Sequence, residues 1–284
     1  MADSYRVFAS YLLFAQVLED PLGHLYRAGE FGPGGVRRIA WLRVFDGPGV
    51  PAESLSAAFD RVRTIGEAVQ STNVAHGVAC LASDSFPALA CDHVASQPLG
   101  LVLDRVQSEQ FPVPVDNALL ILEKISLSHS ACMSVEIDGG RVLHGFLHPG
   151  LIFVTYDGEC VVSGFGFGDE LLATVDIRDS AEAIHPYLAP EVLLSRTPSR
   201  RGDVYSLGAI LFQLLTGSPL PADPEERVAA IETAHMAYDE EPVPDDIKTL
   251  LSRSLAERPQ ERFSSASDFK KELDRLLYGG AYSP

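Results

Sequence analysis

Asp203-Val-Tyr-Ser-Leu-Gly-Ala-Ile-Leu-Phe-Gln-Leu-Leu-Thr-Gly217 is the stretch on which the reading of this sequence turns. Its apolar residues recur at three- and four-residue steps over 203–215, as a helix requires, and an Asp stands at its head, where a capping residue belongs. Twelve residues before Asp203 lies Ala189-Pro-Glu191, and further on comes Arg258-Pro-Gln-Glu-Arg262. Helical spacing also predicts helices over Val115–Ser128, Pro224–Met236, Asp245–Ser254 and Ser265–Tyr278. Between them Leu151–Val162 reads as strand, turn and strand, turning at Asp157-Gly158. The first hundred residues differ in character. Tyr11–Glu19, His24–Ala28 and Arg38–Phe45 are strand-like, broken by Gly32-Pro-Gly-Gly and Gly47-Pro-Gly. One helix is expected from Ala52 to about Val69, followed by strands near His76–Ala82 and Phe86–Val94. The class is α+β, with a small β-rich half (residues 1–96) before a larger helical half (97–284).

Composition narrows the functions. At 284 residues and 46% hydrophobic content the chain can bury a proper core. Its 22 Lys and Arg against 39 Asp and Glu give a net charge of −17, so a phosphate-backbone partner is not expected, because nucleic-acid binding draws on a basic surface. Cysteines 80, 91, 132 and 160 form no C-x-x-C pair and no metal-spaced cluster, and read as reduced thiols of a cytoplasmic protein. No 18-residue apolar stretch occurs and the N-terminus lacks the features of a signal peptide, so neither membrane insertion nor secretion is expected.

Ala189-Pro-Glu191 followed by the Asp203 helix resembles the end of the activation segment and the D-x-x-S-x-G helix of protein kinases, in particular the bacterial Ser/Thr kinases of eukaryotic type. The resemblance implies one bilobal kinase-like domain over about residues 10–278, a β-rich N-lobe with one αC-type helix and a helical C-lobe. It implies that Arg262 pairs with Glu191, that Asp203 bonds the backbone of the catalytic loop, and that His144 packs on Phe165.

Leu143-His-Gly-Phe-Leu-His-Pro-Gly-Leu-Ile-Phe-Val154 occupies the place of H-R-D-L-x-x-x-N, in a register set by His144 and Pro149. In that register the catalytic Asp is Phe146, the metal-binding Asn is Leu151 and the D-F-G Asp is Gly164. Val17–Ala28 resembles the glycine-rich hairpin with only Gly23 kept, Ile39–Leu42 the V-A-I-K strand with Leu42 in place of Lys, and the αC Glu falls at Val62. A slip of one residue would put Arg43 at the Lys position. Phosphoryl transfer in this family needs metal ions, a phosphate clamp and a proton acceptor. Phe146 cannot accept a proton, and Leu151 and Gly164 offer no oxygen to Mg²⁺.

The chain is therefore expected to be a catalytically inactive pseudokinase, not an enzyme, without cofactor or metal, serving as a protein-interaction scaffold or regulator. Phe153 reads equally as a residue filling the adenine slot and as an ordinary core aromatic of its strand, Ile184 replaces the substrate-facing Thr, His148 is taken as solvent-facing, and Thr174 and Ser180 are the hydroxyl candidates of the activation segment. Two other readings stay open: an unorthodox transferase using Arg43 with Asp157, Glu159 or Asp169, and a metal-free small-molecule sensor. Arg61 and Arg63 on the αC face and the acidic run 239–241 are the candidate partner surfaces.

Overall fold

Strands drawn from residues 6–92 build a curled antiparallel sheet in the computed structural model, which describes residues 6–48, 50, 55, 58–82, 86–174, 183–239, 241–279 and 282. Its strands are β1 (Arg6–Phe8), β2 (Tyr11–Asp20), β3 (Gly23–Gly32), β4 (Gly35–Val44), β5 (Ala79–Ala82) and β6 (Pro87–Asp92), in the order β1-β2-β3-β4-β6-β5. Successive side chains of a strand point to opposite faces. One face gathers Ala28, Ala40, Leu42, Ala88 and Ala90 under Tyr11, and the other gathers Leu25, Trp41 and Cys91 against Phe153 and Val161. Small alanines on the outer face let the sheet curl over itself, while the inner face meets the rest of the molecule.

Helix α1 (Phe59–Ala68) buries Val62 and Ile65 beneath the sheet. The residues where its expected first turns fall, 52–54, 56 and 57, lie outside the described set. A second sheet, ordered β11-β10-β7, joins β7 (Ser96–Pro98), β10 (Ile152–Thr155) and β11 (Cys160–Val162), with Phe153 opposite both Pro98 and Val161. A small ribbon pairs β8 (Glu136–Ile137) with β9 (Gly140–Arg141).

The large lobe is built on α2 (Leu99–Glu109), α3 (Val115–Met133), α4 (Gly168–Thr174), α5 (Pro190–Ser195), α6 (Arg200–Thr216), α7 (Pro224–Glu232), α8 (Asp245–Ser254) and α9 (Ala266–Tyr278). Apolar on every side, α6 is buried almost throughout, as a core helix must be. It begins three residues before the expected Asp203, because Ser199 is the cap: its hydroxyl accepts the N–H of Gly202 at 2.8 Å. Helix α7 stops at Glu232, short of the expected Met236, because His235 pairs with Pro242 in an isolated bridge. Helix α2, unanticipated in the sequence, packs under the small lobe.

Candidate functional site

Asp203 organises the loop between the lobes. Its buried carboxylate accepts the backbone N–H groups of His144 at 3.1 Å and Gly145 at 2.8 Å. Burial raises its pKa above the usual range, while these two bonds work the other way. Gly145 takes φ +75°, and a Cβ there would sit 2.7 Å from Pro198. His144 donates from Nε2 to the Ser163 carbonyl at 3.0 Å, and its Nδ1 accepts the N–H of Phe146. Desolvation pushes its pKa down to about 3, so the ring is neutral. It meets the Phe165 ring at 4.7 Å, edge to face, with His129 at 5.8 Å. At the far end of the large lobe Arg262 donates to both oxygens of Glu191, at 2.8 and 2.9 Å.

The structure brings Leu151 and Gly164 together, and Phe146 lies buried in the same core cluster as Leu151. Phe146 and Leu151 are buried, and a Cβ at Gly164 would lie 3.3 Å from the Leu151 side chain. None of the three carries a side-chain oxygen. Mg²⁺ needs about six oxygen ligands in octahedral array, and among the described residues no group of three His, Cys, Asp or Glu could hold a metal ion. The substitute carboxylates are engaged elsewhere: Asp157 with the Thr155 hydroxyl, Glu159 with Lys124 and Asn73, Asp169 with Arg61. These positions do not fit a bound Mg²⁺, and no chemical step is derived through one.

Leu42 is not the residue that β4 turns toward the cleft. It lies fully buried in the outer-face cluster with Ala28 and Ala90, while Val62 belongs to the separate main core, its side chain 3.1 Å from where a Cβ on Gly166 would stand. The two therefore cannot form the apolar pair expected of them. Strand alternation places Trp41 and Arg43 on the inner face instead. Arg43, 4% exposed, donates to both oxygens of Asp20 at 2.8 Å and to the Gly150 carbonyl at 2.7 Å. The period-two alternation Ala40, Trp41, Leu42, Arg43 is the signal in the sequence that settles the register.

His148 is buried, contrary to its expected exposure, because it caps the 3₁₀ turn Pro149–Leu151 by accepting the Gly150 N–H at 3.2 Å. Burial drives its pKa down to about 4, with Asp20 and Arg43 acting in opposite directions. Trp41 stacks on Phe153 with centroids 5.3 Å apart and 25° between planes, and its ring lies 4.7 Å from that of His93. Two aromatic rings thus lie against each other on the inner face of the sheet. Gly23 has φ +125°, and a Cβ there would fall 2.4 Å from the Val44 carbonyl, so only glycine admits this approach of β3 to the end of β4.

Ile184 is buried, and Thr174 ends α4 with its hydroxyl bonded to the Glu170 carbonyl. Ser180 lies outside the described residues. On α1 Arg61 pairs with Asp169 at 3.0 Å and Arg63 pairs with Asp60. The expected partner-facing arginines are already engaged within the chain.

A protein kinase domain model matches residues 66–273, well over half of the sequence. The chain belongs to the protein kinase family. It is 33% identical over 202 residues to the serine/threonine-protein kinase PksC of Streptomyces coelicolor, a match covering 67% of this chain and 35% of that protein. Its match to the serine/threonine-protein kinase PknB of Mycobacterium leprae is 24% identical over 192 residues, covering 63% and 29%. The chain spans about a third of the length of these relatives. The crystal structure of a point mutant of the Mycobacterium tuberculosis PknI kinase domain superposes with a TM-score of 0.66 at 20% identity, covering 97% of this chain and 98% of that one. That likeness establishes the bilobal fold. The family assignment also overturns one expectation: relatives named as serine/threonine-protein kinases point to a kinase enzyme, so the expectation that the chain is no enzyme does not stand. Among the described residues no helix is long and apolar enough to cross a membrane.

Proposed function

We propose that this member of the protein kinase family is a regulator that acts through a bound protein partner, in a form whose interlobe cleft is filled by its own side chains. The observation that carries the reading is the Trp41–Phe153 stack at 5.3 Å, formed where an adenine ring would need an apolar slot. Arg43, the cation facing the same cleft, is engaged by Asp20. In this reading residues 1–96 form the small lobe and 97–284 the large one. Phe146, Leu151, Gly164 and Val62 stand at the family's catalytic, metal and αC positions, and His144, Phe165, Glu191, Asp203 and Arg262 anchor the fold. Phosphoryl transfer of the kind named for the relatives would require the cleft to open first. A cytoplasmic setting suits the cysteines, four free thiols of which three are buried.

The test is a tagged pull-down from the native cells, paired with incubation of the purified chain with radiolabelled ATP and Mg²⁺. A protein recovered at near-equal stoichiometry, with recovery unchanged by MgATP, is expected. Trace recovery together with label passed to an added protein substrate would overturn the reading.

A further inference from the structure

We propose that Asp20, Arg43 and Gly150 form a latch that holds the β2–β3 hairpin down on the large lobe and keeps the interlobe cleft shut. The inference rests on the reading of the cleft as filled from within. Asp20 ends β2 at the tip of the hairpin, where its carboxylate also accepts the Leu22 N–H at 3.0 Å. Arg43 reaches it from β4 with two contacts of 2.8 Å and spends a further N–H on the Gly150 carbonyl at 2.7 Å. Gly150 belongs to the 3₁₀ turn of the large lobe, so one guanidinium ties the two lobes together.

The fit at Gly150 is close. A Cβ there would stand 2.3 Å from the Asp20 Oδ2 and 2.8 Å from the His148 ring. Beside it the Leu18 side chain of the hairpin lies 3.5 Å from where a Cβ on Gly100 of α2 would be. The hairpin therefore rests on two parts of the large lobe, at Gly150 and at Gly100, and the latch sits at the first of them.

Both charged partners come from the small lobe, and the large lobe contributes backbone only. Arg43 thus remains neutralised whether the cleft is shut or open. Removing the Asp20 charge changes this, because a shut cleft then buries an unpaired guanidinium whereas an open one hydrates it. The closed state is disfavoured and the population shifts to the open one.

Trp41 is the sole tryptophan of the chain and is 3% exposed, so its fluorescence reads the cleft directly. Acrylamide quenching is measured on the full chain and on Asp20→Asn, Gly150→Ala and, as a control on the distant Arg61 pair, Asp169→Asn. The quenching constant is expected to rise roughly threefold or more for the first two, with an unchanged far-ultraviolet circular dichroism spectrum, and to stay at the wild-type value for the third. Equal quenching of wild type and both latch variants would overturn the proposal. Should Asp20→Asn not fold, Gly150→Ala keeps the charge pair and tests the latch by wedging alone. Hydrogen exchange of the wild-type hairpin provides a further reading: amides of 14–30 protected no better than an open loop would also overturn it. None of these outcomes depends on whether a protein partner is recovered.

Discussion

Arg262, with a fully buried side chain, grips Glu191 by two parallel N–H bonds of 2.8 and 2.9 Å across 71 residues of sequence. The same guanidinium donates to the carbonyls of Ala256, Arg201 and Glu257, so it ties the first turn of α6 to the loop before α9. Glu191→Ala removes the only carboxylate of this set and leaves the cation buried. A loss of about 3 kcal/mol is expected, since breaking a buried pair costs more than the pair contributes. Urea denaturation of the variant against wild type measures it, and a loss near zero would show that the carbonyls suffice.

Asp203 is the other fixed point of the large lobe. Asp203→Ala leaves the His144 and Gly145 N–H groups without acceptors in a buried site, which costs roughly 1–3 kcal/mol for each orphaned group. Hydrogen exchange should show loss of protection over 143–151 before the rest of the lobe opens. Uniform loss across the lobe would mean that Asp203 holds the core and not the loop in particular.

Stability should fall in mild acid through two histidines. His144 and His148 have folded pKa values of about 3 and about 4, below the unfolded value of about 6.5, so both are held neutral by burial. A depressed pKa means a contribution that is complete above the unfolded value and lost as pH falls toward the folded one. The unfolded chain takes up these protons first, so the urea midpoint should decline between about pH 6.5 and 4, with each histidine adding up to about 1.4 kcal/mol per pH unit. Asp203, raised by burial, acts in the opposite sense and favours the native state as acid protonates it. His148→Asn should flatten the decline, and an unaltered slope would mean that His148 does not carry its share.

Phe153 fills its site with no polar compensation. Phe153→Ala should cost about 3–5 kcal/mol, as buried Phe-to-Ala changes do, and should red-shift Trp41 emission because its stacking partner is gone. A small cost with unshifted emission would place the indole elsewhere.

Legibility in the sequence follows the length of each signal. The α6 segment is long, and Ala189-Pro-Glu191 and Arg262 flank it at fixed spacing, so the helical lobe and the residues Asp203, Glu191 and Arg262 are readable from the sequence. The small lobe offers less. One position along β4 moves every side chain to the other face, and the motif register sets Leu42 in the cleft where Arg43 stands. The Asp20–Arg43 pair is hidden because the likeness of Val17–Ala28 to the glycine-rich hairpin gives Asp20 no partner. His148 shows no partner in the sequence, since that partner is the backbone N–H of Gly150. Trp41 escapes notice altogether, because the place of Phe153 is legible without the strand above it.

Calorimetric titration of MgATP into the wild-type chain tests most directly whether the cleft is filled from within. No saturable heat up to about 1 mM is expected, since a ligand must first displace the Trp41–Phe153 stack and so bears the cost of opening the cleft. Saturable one-to-one binding in the low micromolar range would contradict it.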